Sequence, residues 1–321
     1  MKTFTVFIPN SPFSRILLII SFFVFAAAFV PVVGLVFLIF LPLLTLFYSV
    51  AAGKTKTTIA FLIPVLPVFL ISHLWQLNTP YLMILTMGVA GMAGAAIAAK
   101  NGSVEKIVIY PALIMIGTVC AYFLYAGAAL SINPWHLIQQ FVTQIIEQNI
   151  SIYNQLPLDK QDIDLFKNSK GIFISVFTGI FPALVIIGSV AIVWINVLMA
   201  KNMLRRAGFL LPRLERLSRW RTPDFVIWVF IASGGLLLLP GEQIWFLALN
   251  ILIVTCFIYL LQGFAIISFL FQNKNVPVFF RYLFYFLIAV QQFLMIPIAV
   301  AGLFDIWVNF RKFFQKNQAS T

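Results

Sequence analysis

The stretch Ile16–Val50, ILLIISFFVFAAAFVPVVGLVFLIFLPLLTLFYSV, contains no Asp, Glu, Lys or Arg. A bilayer core about 30 Å thick is crossed by about 20 apolar residues of α-helix, so this run is long enough for two crossings. Pro31 and Gly34 divide it where a tight turn forms most easily. We therefore predict two membrane-spanning helices joined by a short hairpin. The run is too long for the apolar region of a cleaved signal peptide.

Apolar stretches recur along the whole chain, which is 62% hydrophobic and only 9% charged. No soluble fold buries that much apolar surface. The runs are continuous, whereas the strands of a membrane barrel alternate polar and apolar residues, so the predicted fold class is an all-α, polytopic bundle of about eight or nine transmembrane helices. The predicted spans are Ile16–Val33, Gly34–Val50, Thr57–Leu74, Tyr81–Ala99, Ile107–Leu130, Gly171–Ala200, Phe225–Leu239, Ile244–Phe271 and Arg281–Phe310.

The basic residues lie mainly between these runs, so the formal charge of +12 reflects membrane topology and does not indicate nucleic-acid binding. Cytoplasmic loops carry the excess of Lys and Arg, which places the N-terminus in the cytoplasm. Nine spans would then put Arg311, Lys312 and Lys316 outside. Either the last stretch is not a simple crossing, or another span is miscounted.

We treat 1–321 as a single integral membrane domain, with N-terminal spans in 1–130, an extracytoplasmic loop in 131–170 and C-terminal spans in 171–321. The loop contains Asn133, a good helix N-cap, followed by Pro134, a good first helical residue. Apolar residues then recur at helical spacing among glutamines and other polar residues. This pattern predicts an amphipathic helix that lies on the membrane surface or covers a binding cavity.

Small residues mark one face of the predicted fourth span. Ala90, Gly94 and Ala98 are four residues apart, which favours close packing against another helix or a narrow pocket.

Cys120 and Cys256 lie within apolar runs, without another Cys or His at metal-ligand spacing, and we predict packed thiols and no metal site.

Chemistry-bearing groups are sparse. Asp305 is the only acidic residue within an apolar stretch, near the end of that stretch, and we predict that it pairs with Arg311 or Lys312 at the membrane interface. Gly53-Lys54-Thr55 lacks the first glycine of a phosphate-binding loop, because Tyr48 stands at that position. We therefore predict no enzymatic activity, no ATPase, no catalytic residue and no cofactor.

Two sets of residues are candidates for binding. Neutral amides in the later spans can join helices or line a cavity for a polar ligand; they are Asn196, Asn250, Gln262, Gln291 and Gln292. Arginines in the loop Lys201–Asp224 can contact lipid phosphates or a cytoplasmic partner; they are Arg205, Arg206, Arg213, Arg216, Arg219 and Arg221.

A series of short motifs follows Phe181. They are Trp220-Arg221-Thr222-Pro223-Asp224 with Trp228, Asn250, Tyr259 with Gln262-Gly263, Pro277 before Arg281, and Gly302-Leu303-Phe304-Asp305-Ile306-Trp307 with Phe310-Arg311-Lys312. In this order they resemble the YybS-like family of bacterial membrane proteins, a domain of unknown function. The resemblance implies a multi-pass protein of the bacterial cytoplasmic (inner) membrane and supplies no catalytic residues.

Two functions remain open. The first is a small-molecule binding or transport subunit that lacks its own ATPase and is energised by a separate protein. The second is a membrane scaffold for cell-envelope or division proteins, with the arginine-rich loop as the contact surface. The lipid bilayer is the expected environment in both cases, a cytoplasmic or membrane protein partner is compatible with either, and no nucleic acid is expected.

Overall fold

The computed structural model describes residues 12–77, 79–153, 168–209, 211 and 217–312. Within these ranges every regular element is a helix and no strand is present, which confirms the predicted all-α fold class. Two short 3-10 turns, Leu217–Arg219 and Gln292–Leu294, accompany the α-helices. The α-helices are α1 Phe13–Phe29, α2 Val33–Ile39, α3 Leu41–Ala51, α4 Lys54–Leu74, α5 Tyr81–Ala99, α6 Val104–Leu130, α7 Pro134–Tyr153, α8 Lys170–Gly179, α9 Phe181–Arg206, α10 Val226–Leu236, α11 Glu242–Asn273, α12 Val278–Val290 and α13 Met295–Val308.

Fewer helices are long enough to cross a membrane than the sequence predicts. The described residues contain six that are sufficiently long and apolar, or up to seven if a bent pair near the C-terminus is one span, so the predicted count of eight or nine is not confirmed. The predicted span Phe225–Leu239 is helical only over Val226–Leu236, 11 residues. At about 1.5 Å per residue, that helix is shorter than the bilayer core. The six are Val33–Ala51, Lys54–Leu74, Tyr81–Ala99, Val104–Leu130, Phe181–Arg206 and Glu242–Asn273.

The last predicted span is not a straight crossing. It breaks at Gln291, where the backbone leaves helical geometry at φ −105° and ψ 85°, and the helical segments on either side are bent by 108°. The last stretch is therefore not a simple crossing, which is one of the two alternatives that the predicted topology left open; the short helix within Phe225–Leu239 bears on the other.

Contacts between Cα atoms divide the chain into two compact units. Unit 1 comprises the described residues of Met1–Ala121 and Gly188–Arg216, and unit 2 those of Tyr122–Ile187 and Leu217–Thr321. The division falls within α6 and within α9.

In unit 1, α1 ends at Phe29 and α2 begins at Val33, which confirms the predicted break near Pro31. The small-residue face of α5 is packed: Ala90 and Ala98 are buried, and a Cβ atom on Gly94 would lie 3.4 Å from the Leu46 side chain. The void beside Gly94 has a volume of only about 10 Å³, so close packing is the role that the structure supports.

In unit 1, one asparagine side chain bridges a break in the helical hydrogen bonding. The α-helical hydrogen bonding is interrupted at Phe40, two residues before Pro42, between α2 and α3, which together form the candidate span Val33–Ala51. The buried Asn196 side chain lies at this break: the Leu43 N–H donates to its Oδ1 (3.0 Å), and its Nδ2 donates to the carbonyl of Ile39 (2.9 Å). In a continuous helix these two backbone groups would bond to each other. The carboxamide therefore replaces one backbone hydrogen bond, in a span where lipid offers no other partner.

Both cysteines are exposed on their helices, so the prediction that they are packed thiols is wrong. Cys120 lies on α6 and Cys256 on α11. An apolar sequence around a cysteine does not distinguish a side chain facing lipid from one facing the protein core, because both environments are apolar.

The Asn196 contacts predict a measurable loss of stability. Replacing Asn196 by Leu, which has a similar size, leaves the Leu43 N–H and the Ile39 carbonyl without this partner, and we expect the free energy of unfolding to fall by about 1–3 kcal/mol. Thermal unfolding in mild detergent measures the change. Asn202→Leu is the matched control, because Asn202 is exposed on the same helix, and a comparable loss in that variant would contradict this role of Asn196.

Candidate ligand cavity

The amphipathic helix predicted after Asn133 is present as α7, and the described residues of unit 2 build three cavities against it. One of them, of about 520 Å³, runs along the polar face of α7 and has no described lining residue from another helix. Asn133 caps the helix as predicted, with the Trp135 N–H donating to Asn133 Oδ1 at 2.8 Å. At the other end of the helix, Lys170 at the start of α8 forms an ion pair with Glu147 at 2.6 Å. Both side chains of that pair are partly exposed.

The first cavity, which we call the polar cavity, has a volume of about 720 Å³ and lies between the start of α7, α8 and the start of α11. Its lining combines two aromatic residues, two amides, two hydroxyl groups and one carboxylate. These are Trp135, Phe246, Gln139, Gln243, Ser175, Thr178 and Glu242. Glycines 171 and 179 and Ile174 complete the wall.

Thr178 is the most informative residue of this lining. It is only 5% exposed, and its hydroxyl oxygen has no hydrogen-bond partner within the part of the chain that the structure describes. A buried hydroxyl without a partner costs roughly 1–3 kcal/mol. Thr178 lines the polar cavity, but its hydroxyl oxygen is itself solvent-inaccessible, so a bound molecule can reach it only if the side chain rotates toward the cavity.

The second cavity, the aromatic cavity, has a volume of about 620 Å³ and lies between the apolar face of α7, α8 and the start of α9. Four phenylalanines contribute to its lining, together with aliphatic side chains of α7 and α9, and Asn149 is its one polar side chain among the described residues. The phenylalanines are Phe141, Phe173, Phe177 and Phe181. Phe141 and Phe181 also pack edge to face with Phe123 of α6.

A second helix break shapes the wall between α8 and α9. The backbone breaks at Ile180 with φ −92° and ψ 2°, the same angles as at Phe40 in unit 1, and Pro182 again follows two residues later. Asn250 of α11 bridges this break: the Ala183 N–H donates to its Oδ1, and its Nδ2 donates to the Gly179 carbonyl, each over 2.7 Å.

Gly179 allows α8 and α11 to approach closely at this break. A Cβ atom at position 179 would lie 2.0 Å from the Phe246 ring, so any other residue would require that ring to move. Asn250 also donates to the carbonyl of Phe246, at 2.7 Å. Asn250 therefore fixes Gly179 and Phe246, two residues that line the polar cavity, without lining the cavity itself.

A buried charged cluster, which we call the Asp305 network, lies elsewhere in unit 2. Asp305 is fully buried; its Oδ2 accepts from Arg311 at 3.0 Å and from Gln262 at 3.1 Å, and its Oδ1 accepts from the Phe310 N–H at 2.9 Å. The predicted pairing of Asp305 with Arg311 is thereby confirmed. Burial is the main cause that lowers the pKa of Arg311; Asp305 raises it and Arg221 lowers it further, but the guanidinium stays protonated at neutral pH.

The network ties the loop before α10 to helices α11 and α13. Arg221 donates to the carbonyl of Asp305 at 3.0 Å, the Thr222 N–H donates to the Gln262 side chain at 3.0 Å, and Arg311 donates to the carbonyl of Trp220 at 2.8 Å. The two helices cross so closely that a Cβ atom on Gly302 would lie 1.9 Å from the carbonyl oxygen of Tyr259.

The predicted binding residues occupy several places. Asn196, Asn250 and Gln262 make the structural contacts described above, while Gln291 and Gln292 are exposed at the bend between α12 and α13. None of the five lines the polar or the aromatic cavity. The residues that do line these cavities come from α7, α8, α9 and α11. One sequence signal could have indicated the cavity wall between α8 and α9. It is the pattern Val-Phe-x-x-x-x-Pro-x-Leu, which occurs at 36–44 and again at 176–184.

The predicted lipid-contacting or partner-contacting arginines are only partly described. Arg205 and Arg206 are exposed in the last turn of α9, and Arg221 belongs to the Asp305 network. Arg213 and Arg216 lie outside the described residues, as does the side chain of Arg219. Within the described ranges, no group of three or more His, Cys, Asp or Glu side chains is arranged to hold a metal ion.

These features define an all-helical membrane protein, and the comparisons with known proteins identify its family. The chain belongs to the family described as "Predicted membrane protein (DUF2232)", which matches residues 18–306. It is 23% identical over 291 residues to a Bacillus subtilis (strain 168) protein described as "Uncharacterized protein YybS", covering 88% of this chain and 91% of the relative. No solved structure matches the chain. The resemblance to the YybS-like family is thus confirmed, and the residues that carry it include Arg221, Gln262, Asp305 and Arg311 of the Asp305 network.

The Asn250 bridge predicts local loosening of the cavity wall when it is removed. In Asn250→Leu we expect amide exchange in a peptide covering 176–187 to become about tenfold faster, because two backbone groups at the break lose their partner. Hydrogen–deuterium exchange with mass spectrometry measures this. A peptide covering 36–47, whose break is held by Asn196, is the internal control. Equal acceleration in both peptides, or none in either, would show that Asn250 does not hold this break.

The Asp305 network predicts that removing the charge of Arg311 destabilises the protein far more than removing the charge of its neighbour Lys312. Arg311→Ala leaves a fully buried carboxylate without its closest cation, and we expect a loss of about 3 kcal/mol in the free energy of unfolding. The neighbouring exposed Lys312 supplies the control, since Lys312→Ala should change stability by less than about 0.5 kcal/mol. Thermal and denaturant unfolding of both variants test this, and equal stability of the two would count against the network.

Proposed function

We propose that the protein is a small-molecule-binding subunit of a membrane transport system and that its ligand lies in the polar cavity. The cavity carries this proposal: its volume of about 720 Å³ falls within the range of roughly 300–1,000 Å³ that is typical of ligand sites. Its mixture of aromatic surface with a few polar groups also suits a small polar molecule.

Helix α7 is the part that would admit the ligand. Trp135 and Gln139 of α7 line the cavity, so displacement of this helix opens it. The ion pair between Lys170 and Glu147 joins α7 to α8, and a partly exposed pair of this kind contributes only about 0–1 kcal/mol. We place α7 on the outer surface of the cytoplasmic membrane and the N-terminus in the cytoplasm, in keeping with the distribution of Lys and Arg.

The energy for transport would come from a separate protein. Gly53-Lys54-Thr55 lacks the sequence of a nucleotide-binding loop, and Asp305 is neutralised by Arg311 and hydrogen-bonded on both oxygens. A carboxylate held in this way is poorly suited to carry protons across the membrane, because protonation would break its contacts. We therefore propose a binding subunit without enzymatic activity of its own.

The alternative, a scaffold for envelope or division proteins, has less support from the described residues. One of its proposed contact residues, Arg221, donates to the backbone of Asp305 and so contributes to internal structure. Arg213 and Arg216 lie outside the described residues. A scaffold also does not need the polar cavity.

Filling the cavity tests the proposal. Gly171 lines the polar cavity, and a Cβ atom there would meet nothing within 4 Å, so Gly171→Trp places a large side chain in the cavity without a clash at its base. We expect a small molecule that co-purifies with the wild-type protein from its native membrane to be lost from this variant, as measured by mass spectrometry.

Gly188→Trp is the matched control, because Gly188 is also helical and unobstructed but does not line the cavity. It should retain the molecule. Equal retention in the two variants, or no bound small molecule in the wild-type protein, would count against the proposal.

A further inference from the structure

The charge of the polar cavity indicates which chemical class of ligand the cavity binds. Glu242 is the one ionisable side chain among the described residues that line the cavity. The nearest basic residue in sequence to the lining of α8 is Lys170, and its ammonium group is paired with Glu147 at 2.6 Å. The cavity therefore carries a single negative charge that no lining residue neutralises.

The position of Glu242 disfavours an anionic ligand further. Glu242 lies in the first turn of α11, where its carboxylate opposes the partial positive charge of the helix N-terminus. An anion in the cavity would be repelled by this carboxylate, and the repulsion offsets the attraction of the helix N-terminus. A cation would meet a carboxylate directly, and charge-assisted hydrogen bonds of this type are roughly twice as strong as neutral ones.

The other lining groups suit an organic cation. Trp135 and Phe246 present aromatic surface, and indole is the ring to which ammonium groups bind best. Gln139 and Gln243 offer carbonyl oxygens as acceptors. The buried Thr178 hydroxyl, without a partner among the described residues, becomes an additional acceptor for a ligand N–H or O–H group only if its side chain rotates toward the cavity.

We propose that the polar cavity binds a small organic cation, with a protonated amine beside Glu242 and its apolar body against Trp135 and Phe246. This inference rests on the proposed function, since it names the ligand class of the same cavity.

Three probes of nearly equal size and different charge test the ligand class. They are benzylammonium, benzyl alcohol and benzoate, added separately to the purified full-length protein. We expect benzylammonium to raise the thermal unfolding temperature most, benzyl alcohol less and benzoate least. In E242Q we expect the apparent dissociation constant for benzylammonium to increase about fivefold, in line with the modest strength of an exposed ion pair.

E105Q is the matched control. Glu105 also lies in the first turn of a helix, α6, and does not line the cavity, so this variant changes the net charge and the helix terminus in the same way. Affinity for benzylammonium should be unchanged in E105Q. An equal loss in both variants would overturn the inference, because it would reflect charge in general and not the cavity.

The outcomes separate this inference from the proposed function. If benzyl alcohol or benzoate binds as well as benzylammonium and E242Q has no effect, the ligand is not a cation, while loss of the co-purifying molecule in Gly171→Trp still supports a binding subunit. If no probe binds, the cation inference also fails. If the co-purified molecule is itself identified as an anion, the inference is overturned even though the binding function stands.

Discussion

Backbone hydrogen bonding at two broken helices is the constraint on which the rest of the structure depends. Lipid supplies no water to satisfy an exposed N–H or carbonyl group, so a break inside an apolar helix needs a partner from the protein. Pro42 and Pro182 favour such breaks, because proline lacks an N–H and its ring obstructs the preceding turn. Asn196 and Asn250 each supply one acceptor and one donor, and together these replace one backbone hydrogen bond.

Each asparagine is itself fully used. Besides bridging its break, each Nδ2 donates a second hydrogen bond to the carbonyl four residues earlier on its own helix: Ile192 for Asn196 and Phe246 for Asn250. A buried amide with two donors and one acceptor engaged costs little to keep away from water. In unit 2 the break also affects the shape of the polar and aromatic cavities. It separates α8 from α9, and residues of α8 line both cavities.

The Asp305 network meets the same constraint with charged groups. Transfer of a carboxylate into an apolar environment is costly unless it is paired and hydrogen-bonded, and both oxygens of Asp305 have partners. Its partners come from a loop, from α11 and from the end of α13, so the network fixes one loop and two helices of unit 2 at a single point. Most of the motifs that resemble the YybS-like family meet in this network. Because the network joins one loop and two helices, these motifs are widely spaced in the sequence.

Hydropathy predicted the all-α class, most of the long helices and the break at Pro31, and capping rules predicted α7. The predicted count of eight or nine spans is not confirmed where apolar length was the only guide, because hydropathy cannot reveal the bend at Gln291 or the shortness of α10. The amides were recognised as polar groups within apolar stretches, but neither the partners of Asn196, Asn250 and Gln262 nor the exposure of Gln291 and Gln292 was predicted. Asn196 binds Leu43, 153 residues away in sequence, and no local pattern contains that information. The polar cavity was missed for the same reason, because its lining is drawn from three separate helices.

The most direct measurement is an experimental structure of the protein, purified from its native membrane and reconstituted in lipid nanodiscs. We expect a break in the helical hydrogen bonding between α8 and α9, with the Asn250 side chain between Gly179 and Ala183, and non-protein density in the polar cavity beside Glu242, Trp135 and Phe246. An unbroken helix through Ile180, or a closed cavity without density, would contradict these expectations.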